Sequence, residues 1–235
     1  MTWQGLGFIK TNKKMHHNHS HDYNEQAPIT RGETFRWATF YDLIVKFIFL
    51  GKDQAMRRKT VDFAQLKPGD HVLDVGCGTG DLALAAKTAV GASGTVYGID
   101  PSPEMIARAR RKADLNAMDV QFQTGVIEKL AFPDNEFDVV LSSFMIHHLP
   151  GDDLKAQGLA EVFRILRPGG RFLAIDINFK RQNLLTLIHG GAAQSDPLQD
   201  KIPAVISEIG FTNIDAGIAN KIGRLVSYAS GNKPA

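Results

Sequence analysis

Three sets of residues have types and spacings that could do chemistry. The first is Val72-Leu73-Asp74-Val75-Gly76-Cys77-Gly78-Thr79-Gly80-Asp81, an apolar run that opens into glycines at alternate positions and then into the helical periodicity of residues 82–90. Glycine carries no Cβ, so backbone there can approach a ligand closely and turn where other residues cannot. The second is Asp100, at the end of the next apolar run. A carboxylate beside a glycine loop can accept hydrogen bonds from two ribose hydroxyls; the competing reading is a turn or cap before Pro101-Ser102-Pro103, and the loop upstream favours the ribose. The third is His147-His148, behind the apolar residues 137–144. Imidazole titrates near neutral pH, so either ring could serve as a general base, or the pair could pack and hydrogen-bond its loop. Ser142 and Ser143 just before them could bind a ligand or simply close a strand.

The glycine spacing excludes one chemistry. A dinucleotide site reads G-x-G-x-x-G, which would put the last glycine at position 81, where this chain has Asp81 with glycine at 80. A nicotinamide-dependent oxidoreductase is therefore disfavoured.

The elements that must position these residues follow from periodicity. Beyond Pro68-Gly69, short apolar runs alternate with helical periods, the pattern of a parallel α/β sheet. Strands are expected at 71–76, 95–100, 120–125, 137–144 and 171–178, with weaker ones at 212–219 and 224–229. One helix should begin with Ser102 as N-cap and Pro103 in its first turn, where the missing N–H costs nothing. Another should carry Leu159, Val162, Phe163 and Leu166 on one face and stop at Arg167-Pro168-Gly169-Gly170. Before the sheet, residues 35–61 are dense in apolar side chains and read as one or two helices broken near Gly51. Residues 1–30 read as a mobile polar leader. Its His16, His17, His19 and His21 lack the Cys or acidic partners of a recognisable metal set, so no metal site is assigned.

Composition narrows the class. With 235 residues, 43% hydrophobic, the chain is long enough for one substantial core. A net charge of +2 with scattered basic residues leaves no nucleic-acid footprint. The single cysteine, Cys77, cannot close an intrachain disulfide, and the first 30 residues lack the apolar core of a secretory signal, so a cytoplasmic location is the default. The apolar residues 43–50, interrupted by Lys46, fall short of the roughly 20 needed to span a bilayer. Lys46, Arg57 and Arg58 could attract an acidic head group, but basic residues on a helix are more often a solvated face.

Taken in order, Leu73-Asp74-Val75-Gly76-Cys77-Gly78-Thr79-Gly80, Gly98-Ile99-Asp100-Pro101-Ser102 with Met105, Phe137-Asp138-Val139-Val140 followed by His147-His148-Leu149, and the Arg167-Pro168-Gly169-Gly170 turn resemble the class I S-adenosylmethionine (SAM)-dependent methyltransferases. Within that superfamily the chain is similar to the ubiquinone/menaquinone C-methyltransferases and their small-molecule relatives, on the strength of Tyr41-Asp42, Gly51 and Arg57-Arg58 before the first strand.

The resemblance implies a Rossmann-like, doubly wound, mostly parallel seven-stranded sheet whose last strand is antiparallel. It implies an N-terminal helical lid at 31–65, a SAM-binding domain at 66–235, and an acceptor-pocket insertion at 179–201. It assigns Asp74, Gly76, Cys77, Gly78, Thr79 and Gly80 to the methionine end of SAM, Asp100 with Pro101 to the ribose, and Met105 or Ile99 to one face of the adenine. Tyr41, Ser142, Val126 and Ile127 join the cofactor-binding set. One departure stands out: the family usually carries Gly-Asp-Ala after the third strand, and here Gly125-Val126-Ile127 leaves no carboxylate for the adenine amino group, which turns to backbone, apolar packing or Glu128.

A sulfonium methyl group moves by in-line displacement, helped by a dry cleft that holds the nucleophile close. The expected partner is a small hydrophobic or amphiphilic acceptor, suggested by residues 43–50 and 184–188, with a monomer or homodimer and peripheral membrane contact through the N-terminal helices left open. The rival from a different class is a catalytically silent SAM-binding regulatory protein.

Overall fold

In β1 (His71–Val75), Val72, Leu73, Asp74 and Val75 are all buried. A strand apolar on both faces must lie at the centre of a sheet with helices on each side. It does so in the computed structural model, which describes residues 53–178, 197–223 and 226–235. Around it run α1 (Asp53–Phe63), α2 (Asp81–Val90), β2 (Thr95–Asp100), α3 (Pro103–Leu115), β3 (Gln121–Thr124), β4 (Phe137–Ser143) and a 3-10 turn (Ile146–His148). There follow α4 (Gly151–Ile165), β5 (Leu166–Ile177), α5 (Pro197–Asp200), α6 (Ile202–Ile209), β6 (Thr212–Ile218) and β7 (Val226–Asn232).

The strand order is β3-β2-β1-β4-β5-β7-β6. The first five strands are mutually parallel, and β7 pairs antiparallel with both β5 and β6. The Rossmann-like expectation is met. Two apolar clusters cover the faces: Val72, Val139, Leu141, Leu173 and Ile175 pack with α1, α2 and α3, while Leu73, Val140, Phe172 and Ala174 pack with α4, α5 and α6. This is the strict alternation of a pleated strand. Strand order reverses between β1 and β4, so the carboxyl ends of these two strands open a crevice, the place where ligands bind in such sheets.

Local signals hold where they are chemical. Ser102 caps α3, its Oγ accepting the Met105 N–H at 3.4 Å, with Pro103 in the first turn. Two readings shift. Leu166, expected on the face of α4, begins β5 and is fully buried there. The Arg167 to Gly170 turn is a break inside β5: pairing passes from Phe137↔Leu166 to Val139↔Arg171, Gly169 takes φ +77°, and the Arg167 guanidinium grips both oxygens of Asp138 at 3.0 and 2.9 Å. The expected strand at 224–229 is β7, displaced toward the C-terminus. Among the described residues no helix is long and apolar enough to cross a membrane.

Candidate functional site

At the carboxyl end of β1 the chain turns through Gly76, Gly78 and Gly80, with φ of +72°, +53° and +84°. Only glycine adopts these angles without strain. The N–H groups of Gly76 and Cys77 both donate to the Ile99 carbonyl at 2.9 Å, tying the loop to the end of β2. A Cβ at Gly76 would lie 2.7 Å from the Met145 Cβ, and one at Gly80 would lie 2.7 Å from the Phe122 ring. Cys77 is a buried free thiol, and the Lys112 ammonium holds Thr79 Oγ1 and Asp81 Oδ1, each at 2.7 Å.

Asp100 serves this loop directly. Its Oδ2 accepts the Gly78 N–H at 3.0 Å and its Oδ1 accepts the Ser102 N–H at 2.9 Å. The turn role that competed with ribose binding is thus present, and the carboxylate has lone pairs left for a diol. Burial raises its pKa, opposed by the N–H groups of Ser102 and Gly78.

Asp74 is 1% exposed, and neither of its oxygens has a partner at full hydrogen-bonding geometry, the Ala83 N–H at the start of α2 being the group that comes nearest to serving it. Burial pushes its pKa up to about 7, with the Arg57 charge opposing and Asp100 adding to the rise. A buried, unpaired carboxylate is costly unless something cationic or rich in N–H groups joins it. Ser142 Oγ, in register with Val75 and on the opposite face of the sheet, is also buried without a partner, while Ser143 Oγ, on the Asp74 face, accepts Arg57 Nη1 at 2.7 Å. Arg57 corrects the sequence reading: it does not lie on a solvated face but is 8% exposed on the inner face of α1, where it meets Ser143 and Phe144 at the end of β4. Arg58, next to it, does face solvent.

The two histidines separate. His147 Nδ1 lies 2.6 Å from Asp176 Oδ1, and its ring packs against that of His148, tilted by 43° with centroids 3.8 Å apart. Asp176, near the end of β5, is a buried functional candidate that sequence reasoning missed. Its only signal was a carboxylate inside the apolar run Ala174-Ile175-Asp176-Ile177. Asn178, two residues on and just beyond the end of β5, is likewise 1% exposed with Oδ1 unpartnered.

At the other end of the crevice Met105, Val126, Ile127 and Ile99 are buried, and Pro101 is half-buried. Val126 bridges to Lys129, so the loop after β3 presents apolar side chains and backbone where the family usually has a carboxylate. Tyr41, residues 43–50 and residues 184–188 lie outside the described residues. The donor set fits SAM: an orphaned carboxylate for an ammonium, a glycine cradle that a Cβ would fill, a ribose-type aspartate and an apolar adenine end.

Comparison with known proteins agrees. The family described as "Methyltransferase domain" matches residues 72–170. The ubiquinone/menaquinone biosynthesis C-methyltransferase UbiE of Bdellovibrio bacteriovorus is 34% identical over 181 residues, covering 72% of this chain and 75% of the relative. A demethylmenaquinone methyltransferase of Thermus thermophilus is 41% identical over 137 residues, and the match spans 58% of this chain and 60% of that relative's length. The crystal structure of a SAM-dependent methyltransferase from Aquifex aeolicus superposes with a TM-score of 0.61 at 23% identity, covering 75% of this chain and 88% of that one, a likeness of fold alone. Neither the oxidoreductase nor the silent-subunit reading has support among these relatives. With its glycine loop, Asp100 and strand order in the positions described, the chain belongs to the class I SAM-dependent methyltransferases, in the branch of the ubiquinone/menaquinone C-methyltransferases.

Proposed function

We propose that the chain methylates a ring carbon of a hydrophobic, quinol-like small molecule. The observation that carries the reading is the His147–Asp176 pair at the carboxyl edge of the sheet that also holds Asp74. Two relatives, a ubiquinone/menaquinone biosynthesis C-methyltransferase and a demethylmenaquinone methyltransferase, support the acceptor class.

Bound SAM supplies an electrophilic methyl group on a sulfonium. The protein's own part begins with anchoring: Asp74 receives the ammonium of the amino-acid end, the glycine loop admits it, and Asp100 takes the ribose hydroxyls. A ring carbon becomes a nucleophile when a neighbouring hydroxyl loses its proton. His147 is arranged for that task, since Nδ1–H donated to Asp176 leaves Nε2 as the proton acceptor. With SAM bound, oxygen lone-pair density would flow into the ring as the carbon takes the methyl group and the sulfur–carbon electron pair returns to sulfur; the ring C–H proton would then pass to solvent while the His147 imidazolium returns its proton to the ring oxygen, restoring the aromatic quinol. Phe144 and Ile146, both buried, keep water from this edge. Residues 31–65 are assigned to a lid over bound cofactor and residues 179–201 to the acceptor pocket, and hydrogen exchange with and without a SAM analogue tests the lid.

The deciding experiment incubates the protein with methyl-labelled SAM and a reduced, side-chain-bearing demethylated naphthoquinol, with its oxidised form and phosphatidylethanolamine in parallel. Label is expected on carbon of the quinol alone. Label on the amine lipid, or on neither acceptor, overturns the reading.

A further inference from the structure

Arg57 is a cation taken out of water with little in return. It is 8% exposed, its Nη1 donates to Ser143 Oγ, its guanidinium carbon sits 5.5 Å from the Phe144 ring centroid, and its Nε has no partner. A guanidinium has five N–H donors in a planar fork, and burying them unmatched is expensive. Asp74 stands in the same condition with the opposite sign. The two charges attract, yet they do not hydrogen-bond each other, since both Asp74 oxygens and Arg57 Nε lack partners. Both line one cavity of about 760 Å³ that also takes in Gly76, Cys77 and Thr79.

Opposite charges held apart across one cavity, each with open hydrogen-bonding positions, complement a ligand that carries its own opposite pair. We propose that Arg57 anchors the carboxylate of the amino-acid portion of SAM while Asp74 receives its ammonium, so that α1 and β1 together grip the zwitterion. This rests on the SAM reading and adds a residue to it. The other cations on the cavity wall are less suited: Lys112 is engaged with Thr79 and Asp81, and Arg58 is exposed. Arg-to-carboxylate pairing is commonly bidentate, which sets orientation as well as affinity and would hold the methionine chain at a fixed angle to the glycine loop. A role confined to tethering α1 to β4 would use the Ser143 and Phe144 contacts but confer no preference among ligands.

The test reads ligand discrimination by calorimetry on the full chain. Wild type is titrated with S-adenosylhomocysteine and with its decarboxylated analogue, which keeps the ammonium and the sulfur. The carboxylate should tighten binding about tenfold to a hundredfold, the worth of a charge-assisted pair. In Arg57→Gln that preference should vanish because the homocysteine ligand weakens while the decarboxylated one does not, and Arg57→Lys should restore part of it. Equal affinity of wild type for the two ligands overturns the proposal without recourse to any variant. So does equal weakening of both ligands in Arg57→Gln. Failure of wild type to bind either ligand would remove the SAM reading itself, and this inference with it.

Discussion

His147 is held by Asp176 at two points: Nδ1 meets Oδ1 at 2.6 Å, and the His147 backbone N–H donates to Oδ2 at 3.2 Å. Asp176 is 1% exposed, so the grip is shielded from water. A carboxylate on Nδ1 sets the neutral tautomer and aims Nε2 as a base. General-base catalysis contributes about 10²–10⁴-fold, so His147→Gln should lower kcat on the quinol by that order while leaving SAM affinity nearly unchanged. Asp176→Asn should lower kcat in the same direction, and the double variant should be little worse than His147→Gln, because the pair acts as a unit. Methyl transfer followed with labelled SAM measures all three, and strictly multiplicative losses would show that the residues act separately.

The Asp74 carboxyl offers a pH signature. Burial raises it from 3.8 to about 7, so the folded chain retains a proton that the unfolded chain releases. The stability this contributes is complete below about pH 4 and is lost as pH climbs through 7. Thermal melts of the ligand-free protein should therefore show Asp74→Asn gaining on wild type as pH rises from 5 to 8. SAM affinity should move the other way in wild type, improving through pH 7 as the carboxylate forms to meet the ammonium, and should be flat in the Asn variant.

Asp100 joins loop and ligand, and its removal should show both roles. In Asp100→Ala the Gly78 and Ser102 N–H groups lose their acceptor, so both amides should exchange faster even without ligand. SAM binding should weaken by about 2–4 kcal/mol, the worth of a pair of charge-assisted hydrogen bonds. Faster exchange with unchanged affinity would confine Asp100 to the turn.

Gly76→Ala tests the cradle. An L residue at φ +72° carries about 1–2 kcal/mol of strain, and its Cβ would press on the Met145 Cβ at 2.7 Å. For a chain of this size each kcal/mol lowers Tm by about 2–4 °C, so a fall of several degrees is expected in thermal melts. Adding Met145→Ala, which removes the Cγ and Sδ that also crowd this position but keeps the Cβ, should recover part of the loss and leave the rest, due to φ and the Cβ contact.

What the sequence determined by itself is what depends on a residue's own backbone and nearest neighbours. Glycines at 76, 78 and 80 take positive φ because nothing else does so cheaply, Ser102 caps α3 because its hydroxyl reaches an N–H three residues on, and Val72, Leu73 and Val75 mark a central strand because both faces are apolar. From these came the fold class, the cofactor end of the crevice and the place of Asp100. The tertiary structure decided what depends on residues distant in the chain. Arg57 reads as an ordinary solvated helical arginine until α1 docks over Ser143 and Phe144, far along the sequence. Asp176 reads as an irregularity in an apolar strand until the turn after β4 brings His147 to it. Leu166 is equally apolar on a helix or in a strand, and the side-chain period alone did not place it; pairing with Phe137 did. Burial and partnership are properties of packed surfaces, and which surfaces pack is settled by the whole sheet rather than by the window of residues in which each side chain is read.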